Sequence, residues 1–589
     1  MCGIFGYIGP DRDLGPDILD ALRALEYRGY DSWGVAVAVD GGIAVQKSTG
    51  KIASARTDLP VAGLGFGHTR WATHGGVTQA NAHPHVDCTG RISVIHNGII
   101  DNFRALRAEL LVRGHQFSSE TDSEVVAHLI EERVTYGDSL LEATTHAFKR
   151  LEGLNAIIAM DAQSRELVAT KKMSPLVVGL DGNGISTIAS DHIALQGYAS
   201  RVHYLEDDDV VRLSAGTMEI FQRSDLTPRS AELVPLPVDE RDLELGAYPH
   251  FMAKEMAEQP DVLERIALGS EDIIKAFART IEASYGCFFV GCGTASYAAL
   301  TGSYLFSRIA ARHVNFVVGS EFKYHEHFIT DRSLVVALSQ SGETADIIEA
   351  MHAGRNRGAK LGALVNVRNS TLDRMVDVSI HLGAGPEQCV LSTKAYTAKV
   401  AMLLLTAHAL NGTYDEGREL VMKAAAGMRE MLRPAWIDVI RQTAARIKNA
   451  QHLFVIGRGL AYPTALEAAL KIKEVSYIHA EGFAAGELKH GVIALIEKGT
   501  PCVVYAPNDE TRADILSGAM ELKTRGGFII GISPDNDPVF DIHLATPDVG
   551  DASPLINALP AQQLGYHVAL LRGYDPDKPR NLAKSVTVK

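Results

Sequence analysis

The chain has 589 residues, 46% of them hydrophobic and 22% charged. That is an ordinary globular composition, with length for about three to five domains at roughly 100–200 residues each. A net charge of −14 argues against general nucleic-acid binding, which draws on clustered Lys and Arg, although one local set of donors can still hold a phosphate. Six cysteines without a Cys-x2-Cys pair imply no disulfide framework and a reducing compartment. MCGIFGYIGPDRD lacks a basic, apolar leader and no run of 18 apolar residues occurs, so a cytoplasmic protein with no membrane span is expected.

Residues 2–225 alternate short β-rich runs with turns. GIFGYIG, WGVAVAVD, GIAVQKS, GLGFGHTRW and RISVIHNGI predict strands, as do LNAIIAMDA and ELVATKK further on. Helical periodicity appears at 103–113, 122–134 and 139–150. Strands that follow one another without a helix between them suggest antiparallel pairing, so this half reads as α+β. Residues 226–279 read as a Pro-containing linker followed by a helical connection.

The second half contains an internal repeat. FFVGCGTASYAAL (288–300) resembles LFVIGRGLAYPTAL (453–466), and SLVVALSQSGETADII (333–348) resembles PCVVYAPNDETRADIL (501–516). AKLGALVNV (359–367) likewise matches GGFIIGISP (526–534). Two copies of a strand–turn–helix–strand pattern predict two α/β doubly wound domains, over 280–420 and 445–575, with a C-terminal tail at 576–589.

Cys2 follows the initiator Met1. Removal of Met1 would leave a thiol beside its own α-amino group, which titrates near ~8 and can take the thiol proton. Taken alone, Cys2 is more simply a small residue entering a strand. The segments LEYRGYDSWG (25–34), GHTRWATHG (67–75), HPH (83–85), HNGIIDN (96–102) and SETDSE (119–124) change that balance. Together with MCGIFGYIG this set resembles the glutaminase domain of the class II, N-terminal-nucleophile amidotransferases over about 220 residues.

The resemblance implies that Cys2 attacks the amide of glutamine. It makes Asn97 and Gly98 the donors that hold the tetrahedral oxyanion. Arg70 then forks onto the α-carboxylate of glutamine, and Asp122 accepts from its α-ammonium. Thr73 and His74 line the glutamine pocket, Arg28 stands beside the nucleophile, and Trp71 gates ammonia. A metal reading of Cys2, His68, His74, His83, His85 and His96 finds no zinc-like spacing. No metal and no cofactor is therefore expected, and most of these histidines read as structural.

In LVVALSQSGETADII an apolar strand runs into a turn carrying Ser339, Gln340, Ser341 and Thr344, with Gly342 among them. Short hydroxyls and the N–H groups of a helix start make an anion site, and Thr294 and Ser296 come from the preceding turn. N-capping alone would also favour Ser and Thr there. The corresponding turn of the second copy holds Pro507, Asn508, Asp509 and Glu510, whose carboxylates would repel a phosphate. Only the first copy is expected to bind one.

ALKIKEVSYIHAEGFAAGELKHG (469–491) and PRNLAKSVTV (579–588) extend the resemblance to nearly the whole chain. The pattern is similar to the glutamine–fructose-6-phosphate aminotransferase (isomerising) family, with two sugar-isomerase domains after the glutaminase. Glu474 then matches the acid/base that moves a proton between C1 and C2 of the sugar, and Lys471 a lysine near the sugar hydroxyls. His490 matches the ring-opening residue, supplied by the other subunit of a homodimer. Lys584 matches the lysine that forms an imine with the ketone. Val390 and Ser392 match sugar-contacting positions.

Two departures stand out: Ala295 in CGTASY, where CGTSY is usual, and Leu391 where a smaller residue is common. Without that context Lys471 and Glu474 would be an ordinary i, i+3 ion pair. The implied substrates are glutamine and fructose 6-phosphate. The alternatives are another class II amidotransferase, for which no phosphoribosyl-diphosphate or ATP motif follows residue 250, and a sugar-phosphate sensor, which would have no use for Cys2, Glu474 or Lys584.

Overall fold

The computed structural model describes residues 2–236 and 244–587. Met1, part of the expected linker (237–243) and the end of the tail (588–589) lie outside the described residues. The chain divides into two compact units, Met1–Glu240 with Ala583–Lys589, and Arg241–Leu582.

The first unit is built on an eight-stranded and a seven-stranded antiparallel sheet. Gly3–Arg12 lies inside the first sheet, paired with Ala62–Arg70 on one side and Ser186–Ala189 on the other. The sheets share an apolar core in which Ile4, Ile8, Leu64 and Phe66 meet Ile95, Ile158, Met160 and Leu167. Phe5 and Tyr7 point to the opposite face, where Leu14, Ile18 and Leu22 of the helix Leu14–Ala24 cover them. Because both faces are covered, GIFGYIG shows no polar alternation. The helices Glu124–Thr135 and Leu140–Lys149 cover the second sheet through Val126, Leu129, Ile130 and Leu140. A capping box between Ser139 and Glu142 starts the latter. Phe103–Val112 is the third predicted helix. Within 226–236, Pro228–Arg229 and Val234–Pro235 add short edge strands.

The second unit contains two five-stranded parallel sheets of identical connectivity. The first runs Asn315–Val318, Gly286–Gly291, Ser333–Ser339, Lys360–Val365, Val378–His381. The second runs His479–Ala484, His452–Gly457, Pro501–Tyr505, Phe528–Ser533, Ile542–Ala545. In each, the chain order reverses between the first and third strands. The crevice at such a switch point, beyond the strand C-termini, is where open α/β sheets bind ligands. One apolar cluster joins Leu364, Leu403 and Leu404 of the first copy to Leu460, Val475 and Leu559 of the second. Helices Phe251–Gly269 and Glu271–Glu282 add Met252, Leu263 and Phe277 to it.

Candidate active sites

Cys2 sits immediately before its strand and shares a pocket with Arg70, Trp71, Thr73, Gly98 and Asp122. The Trp71 N–H donates to Cys2 Sγ at 3.3 Å. Burial pushes the Cys2 thiol above its ordinary pKa, while that N–H and the Arg70 charge oppose the shift. Asn97 Nδ2 donates to the Cys2 carbonyl at 3.0 Å, which leaves its second amide hydrogen for another acceptor. Gly98 has φ +136, and a Cβ there would stand 2.1 Å from the Leu154 carbonyl. Only glycine fits there.

Arg70 is held by backbone. Its guanidinium donates to the Gly76 and Gly75 carbonyls at 3.2 Å and to the His74 carbonyl. The following turn is pinned by Ala72 N–H donating to Asp31 at 2.8 Å. Asp122 accepts from Ile100 N–H at 2.8 Å. Thr73 lines the pocket, and His74 packs edge-on against Phe103.

The wall behind these groups is a stack of histidines, with His83 against His68 and against His85 at ring separations of 4.1 and 4.6 Å. Burial pulls His68 down to about 3, and holds His83, His85 and His96 below the ordinary imidazole range. All four are therefore neutral near pH 7. His68 Nε2 faces two oxygens, the His96 carbonyl at 3.0 Å and Asn97 Oδ1 at 3.1 Å. A carbonyl can only accept, so Nε2 carries the proton. That donation fixes which end of the Asn97 amide faces Cys2. No sequence pattern marks His68 for this task beyond its alternation with Arg70 along one strand.

Arg28, like His74, is placed outside the lining of the Cys2 pocket, unlike Arg70, Thr73 and Asp122. Arg28 Nη2 donates to Asp191 Oδ2 at 2.7 Å, and Tyr27 hydroxyl bridges the pair.

In the second unit, Ser339 ends its strand and Thr344 stands at the N-cap position of the helix Ala345–Asn356, with no capping bond from its side chain. Gly342 N–H donates to Ser339 Oγ at 2.9 Å, and Glu343 N–H to Ser341 Oγ at 3.2 Å. Gly342 has φ +69, and a Cβ on it would fall 2.0 Å from Ser370 Oγ. The Gln340 carbonyl accepts from Val367 N–H at 3.2 Å. Thr294 opens the neighbouring helix Thr294–Ala310. Ser296 directs its hydroxyl to the Gly293 carbonyl at 2.7 Å, so Ala295 lies within the first helical turn. In the second copy the acids of the equivalent turn are already partnered. Asp509 accepts from Thr511 N–H at 2.8 Å, and Glu510 pairs with Arg308.

The helix Ala461–Ser476 brings Glu467, Lys471 and Glu474 to one face at i, i+4 and i+7. Lys471 Nζ lies 2.6 Å from Glu474 Oε2 and 3.7 Å from Glu467 Oε1. Thr294 Oγ1 donates to Glu467 at 3.3 Å and so ties the first copy to the second. Burial pushes Glu467 up to about 8, with Lys471 opposing and Glu474 adding to the shift. Burial opposes the charge on Lys471, but Glu474 and Glu467 outweigh it and hold its pKa above the ordinary value. Glu467 was not foreseen, although its spacing from Lys471 was readable.

Ser392 Oγ donates to Glu387 at 3.3 Å, and Val390 N–H to the Asp577 carbonyl at 3.0 Å. Leu391 is buried in the core. Exposed His490 ends the short helical turn Ala485–His490, whose Ala485 and Leu488 are buried. Lys584 lies on the tail grouped with the first unit, whereas Glu474 and His490 belong to the second.

A nucleophile pocket in an antiparallel sandwich and a hydroxyl-lined switch point in tandem parallel sheets define an amidotransferase joined to sugar-isomerase domains. The family comparisons agree. A glutamine amidotransferase domain matches residues 68–196, and an SIS domain matches 283–409 and again 446–572. Glutamine–fructose-6-phosphate aminotransferases [isomerizing] of Pyrococcus horikoshii and Thermus thermophilus are 41% and 42% identical, over 100% of both chains in each case. The C-terminal domain of glucosamine-fructose-6-phosphate aminotransferase from Francisella tularensis is 33% identical with a TM-score of 0.54 and covers 57% of this chain and 100% of that one. Tagatose-6-phosphate ketose/aldose isomerase from Escherichia coli, at 15% identity and TM-score 0.50, shares the fold over 57% of this chain and 96% of its own. The chain belongs to the glutamine–fructose-6-phosphate aminotransferase (isomerizing) family.

Proposed function

We propose that the protein transfers the amide nitrogen of L-glutamine to D-fructose 6-phosphate and isomerises the product to D-glucosamine 6-phosphate, releasing L-glutamate. The observation that carries this is the fixed Asn97 amide beside Cys2, in a chain whose other unit presents a hydroxyl-lined switch point beside buried Glu467 and Lys471 and partly buried Glu474.

Once Met1 is removed, the Cys2 amine takes the thiol proton and the sulfur attacks the glutamine side-chain amide. Asn97 Nδ2–H and Gly98 N–H hold the oxyanion. The C–N bond breaks, the proton passes to the departing ammonia, and water hydrolyses the thioester to glutamate. Arg70 takes the substrate α-carboxylate and Asp122 its α-ammonium. Thr73 and His74 shape the pocket, Arg28 braces it through Asp191, and Trp71 gates ammonia release.

Thr294, Ser296, Ser339, Gln340, Ser341 and Thr344 receive the sugar phosphate, and Val390, Ser392 and Lys471 its remaining contacts. His490 opens the ring and Lys584 forms an imine at C2 that ammonia displaces. Glu474 then moves a proton from C1 to C2. The active form is a cytoplasmic homodimer in which His490 serves the neighbouring subunit. Among the described residues no helix is long and apolar enough to cross a membrane.

Incubating the full chain with glutamine and fructose 6-phosphate should yield glucosamine 6-phosphate. Glutamate release without that product would overturn the acceptor assignment. Mixing His490→Ala with Glu474→Gln subunits should restore activity absent from either alone, and failure to do so would remove the trans role.

A further inference from the structure

The first unit carries a second cluster of reactive side chains outside the Cys2 pocket. Cys88 lies in the turn before the strand Ile92–Ile100, His115 in the loop after the helix Phe103–Val112, and His128 and Glu131 one turn apart on the helix Glu124–Thr135. One ligand atom from each falls within 4.8 Å of all the others. Cys88 Sγ stands 3.8 Å from His115 Nδ1 and 3.6 Å from His128 Nδ1. Metal–sulfur and metal–nitrogen bonds of about 2.3 and 2.0 Å at a tetrahedral angle separate S and N by about 3.6 Å. Glu131 Oε2 lies 2.9 Å from Nδ1 of each histidine, and each gap needs to open by only about 0.4 Å to reach tetrahedral N···O spacing.

We propose that Cys88, His115, His128 and Glu131 form a structural zinc site. The donor set is the borderline-soft mixture of thiolate, imidazole and carboxylate that zinc prefers. On binding, the Cys88 thiol loses its proton and both histidines coordinate through unprotonated Nδ1. The thiolate and the Glu131 carboxylate then balance the two positive charges of the ion. The surroundings have the outer shell that such sites use: His128 Nε2 faces Glu124 at 3.9 Å and His115 Nε2 faces Glu132 at 3.5 Å, so each ring has a carboxylate behind it. Gln116 N–H donates to Cys88 Sγ at 3.3 Å and orients the sulfur.

The ligands come from three separate segments, which a metal would staple together. The helix that supplies two of them begins directly after Asp122 and Ser123, which line the Cys2 pocket. The ion therefore braces the glutamine pocket from outside and takes no part in the chemistry. Sequence spacing conceals the set, because Cys88 is 27 residues from His115 and 40 from His128.

The test uses untagged full-length chain purified without chelator. Elemental analysis should find about one zinc per chain. Cobalt(II) added to the metal-stripped chain should give the intense visible absorption of a tetrahedral ion with a thiolate-to-cobalt charge-transfer band. Cys88→Ser should abolish that band, and His115→Ala should lower zinc content at least tenfold. Both residues lie off the apolar core, and circular dichroism checks that the variants fold. Cys2→Ala should leave metal content and spectrum unchanged. A zinc-free chain that gives only a weak octahedral cobalt spectrum, or a charge-transfer band that survives Cys88→Ser, overturns the proposal.

Discussion

The Cys2 pocket and the Thr294–Glu474 crevice handle buried charge in opposite ways. Around Cys2 the wall is imidazole kept neutral by burial, so it neither protonates departing ammonia nor competes with the thiol for its proton. In the crevice, Glu467 and Lys471 are buried and Glu474 partly so; burial favours the neutral acid at Glu467, while the neighbouring acids keep Lys471 charged. One site is a polar cavity for making a neutral nucleophile. The other sets an acid–lysine–acid row on one helix face, where under the proposed function Glu474 moves the sugar proton.

Disabling each site in turn separates the two. Cys2→Ala should lower glutamate release by about 10⁴-fold or more, while added ammonia still supports glucosamine 6-phosphate formation. Loss of both would mean the sites do not work separately. Glu474→Gln should cost about 10³-fold in glucosamine 6-phosphate formation and leave glutaminase turnover in place. Asn97→Ala removes one oxyanion donor and should cost about 10²–10³-fold in glutaminase kcat, with KM for glutamine little changed.

The smallest effect is on stability. Glu467, raised from 4.5 to about 8 in the folded chain, contributes stability that is complete below pH 4.5 and lost as pH rises through about 8. His68, lowered from 6.5 to about 3, contributes stability that is present above pH 6.5 and lost as pH falls through about 3. Urea titrations of Glu467→Gln should therefore show a flatter stability profile between pH 4.5 and 8 than the parent chain. An unchanged slope would mean that Glu467 is not buried as an acid.

Much of this was legible in the sequence. The apolar strand ending at Ser339 and its crowd of hydroxyls announced a switch-point turn, and the repeat announced two sheets of one topology. The repeat also supplied its own contrast. Asp509 and Glu510 sit where the first copy has Ser341 and Gly342, and the structure partners them with Thr511 nearby and with Arg308 of the first copy. The same backbone thus carries two chemistries, and function lives in the turn.

Other features were not legible because they depend on pairing across long stretches of chain. Arg28 meets Asp191 across 163 residues, so its orientation could not be read from LEYRGYDSWG. The neutrality of the histidines follows from burial between sheets and helices, which spacing does not reveal. Glu467 was hidden in plain view, since an acid i−4 from Lys471 looks like any surface pair until the helix is found packed against its counterpart in the first copy.

The Thr294–Glu467 hydrogen bond and the shared apolar cluster have a consequence for how the second unit comes apart. The two copies share one core cluster, because Leu460, Val475 and Leu559 of one lie among Leu364, Leu403 and Leu404 of the other, while Leu453, Val503 and Leu544 form a further cluster within the second copy alone. Denaturation of the pair should then be a single all-or-none transition despite the duplicated sequence. The two copies inherit each other's lesions: a substitution that loosens the acidic copy is felt at the Ser339–Thr344 turn as a larger fraction of molecules with no turn at all.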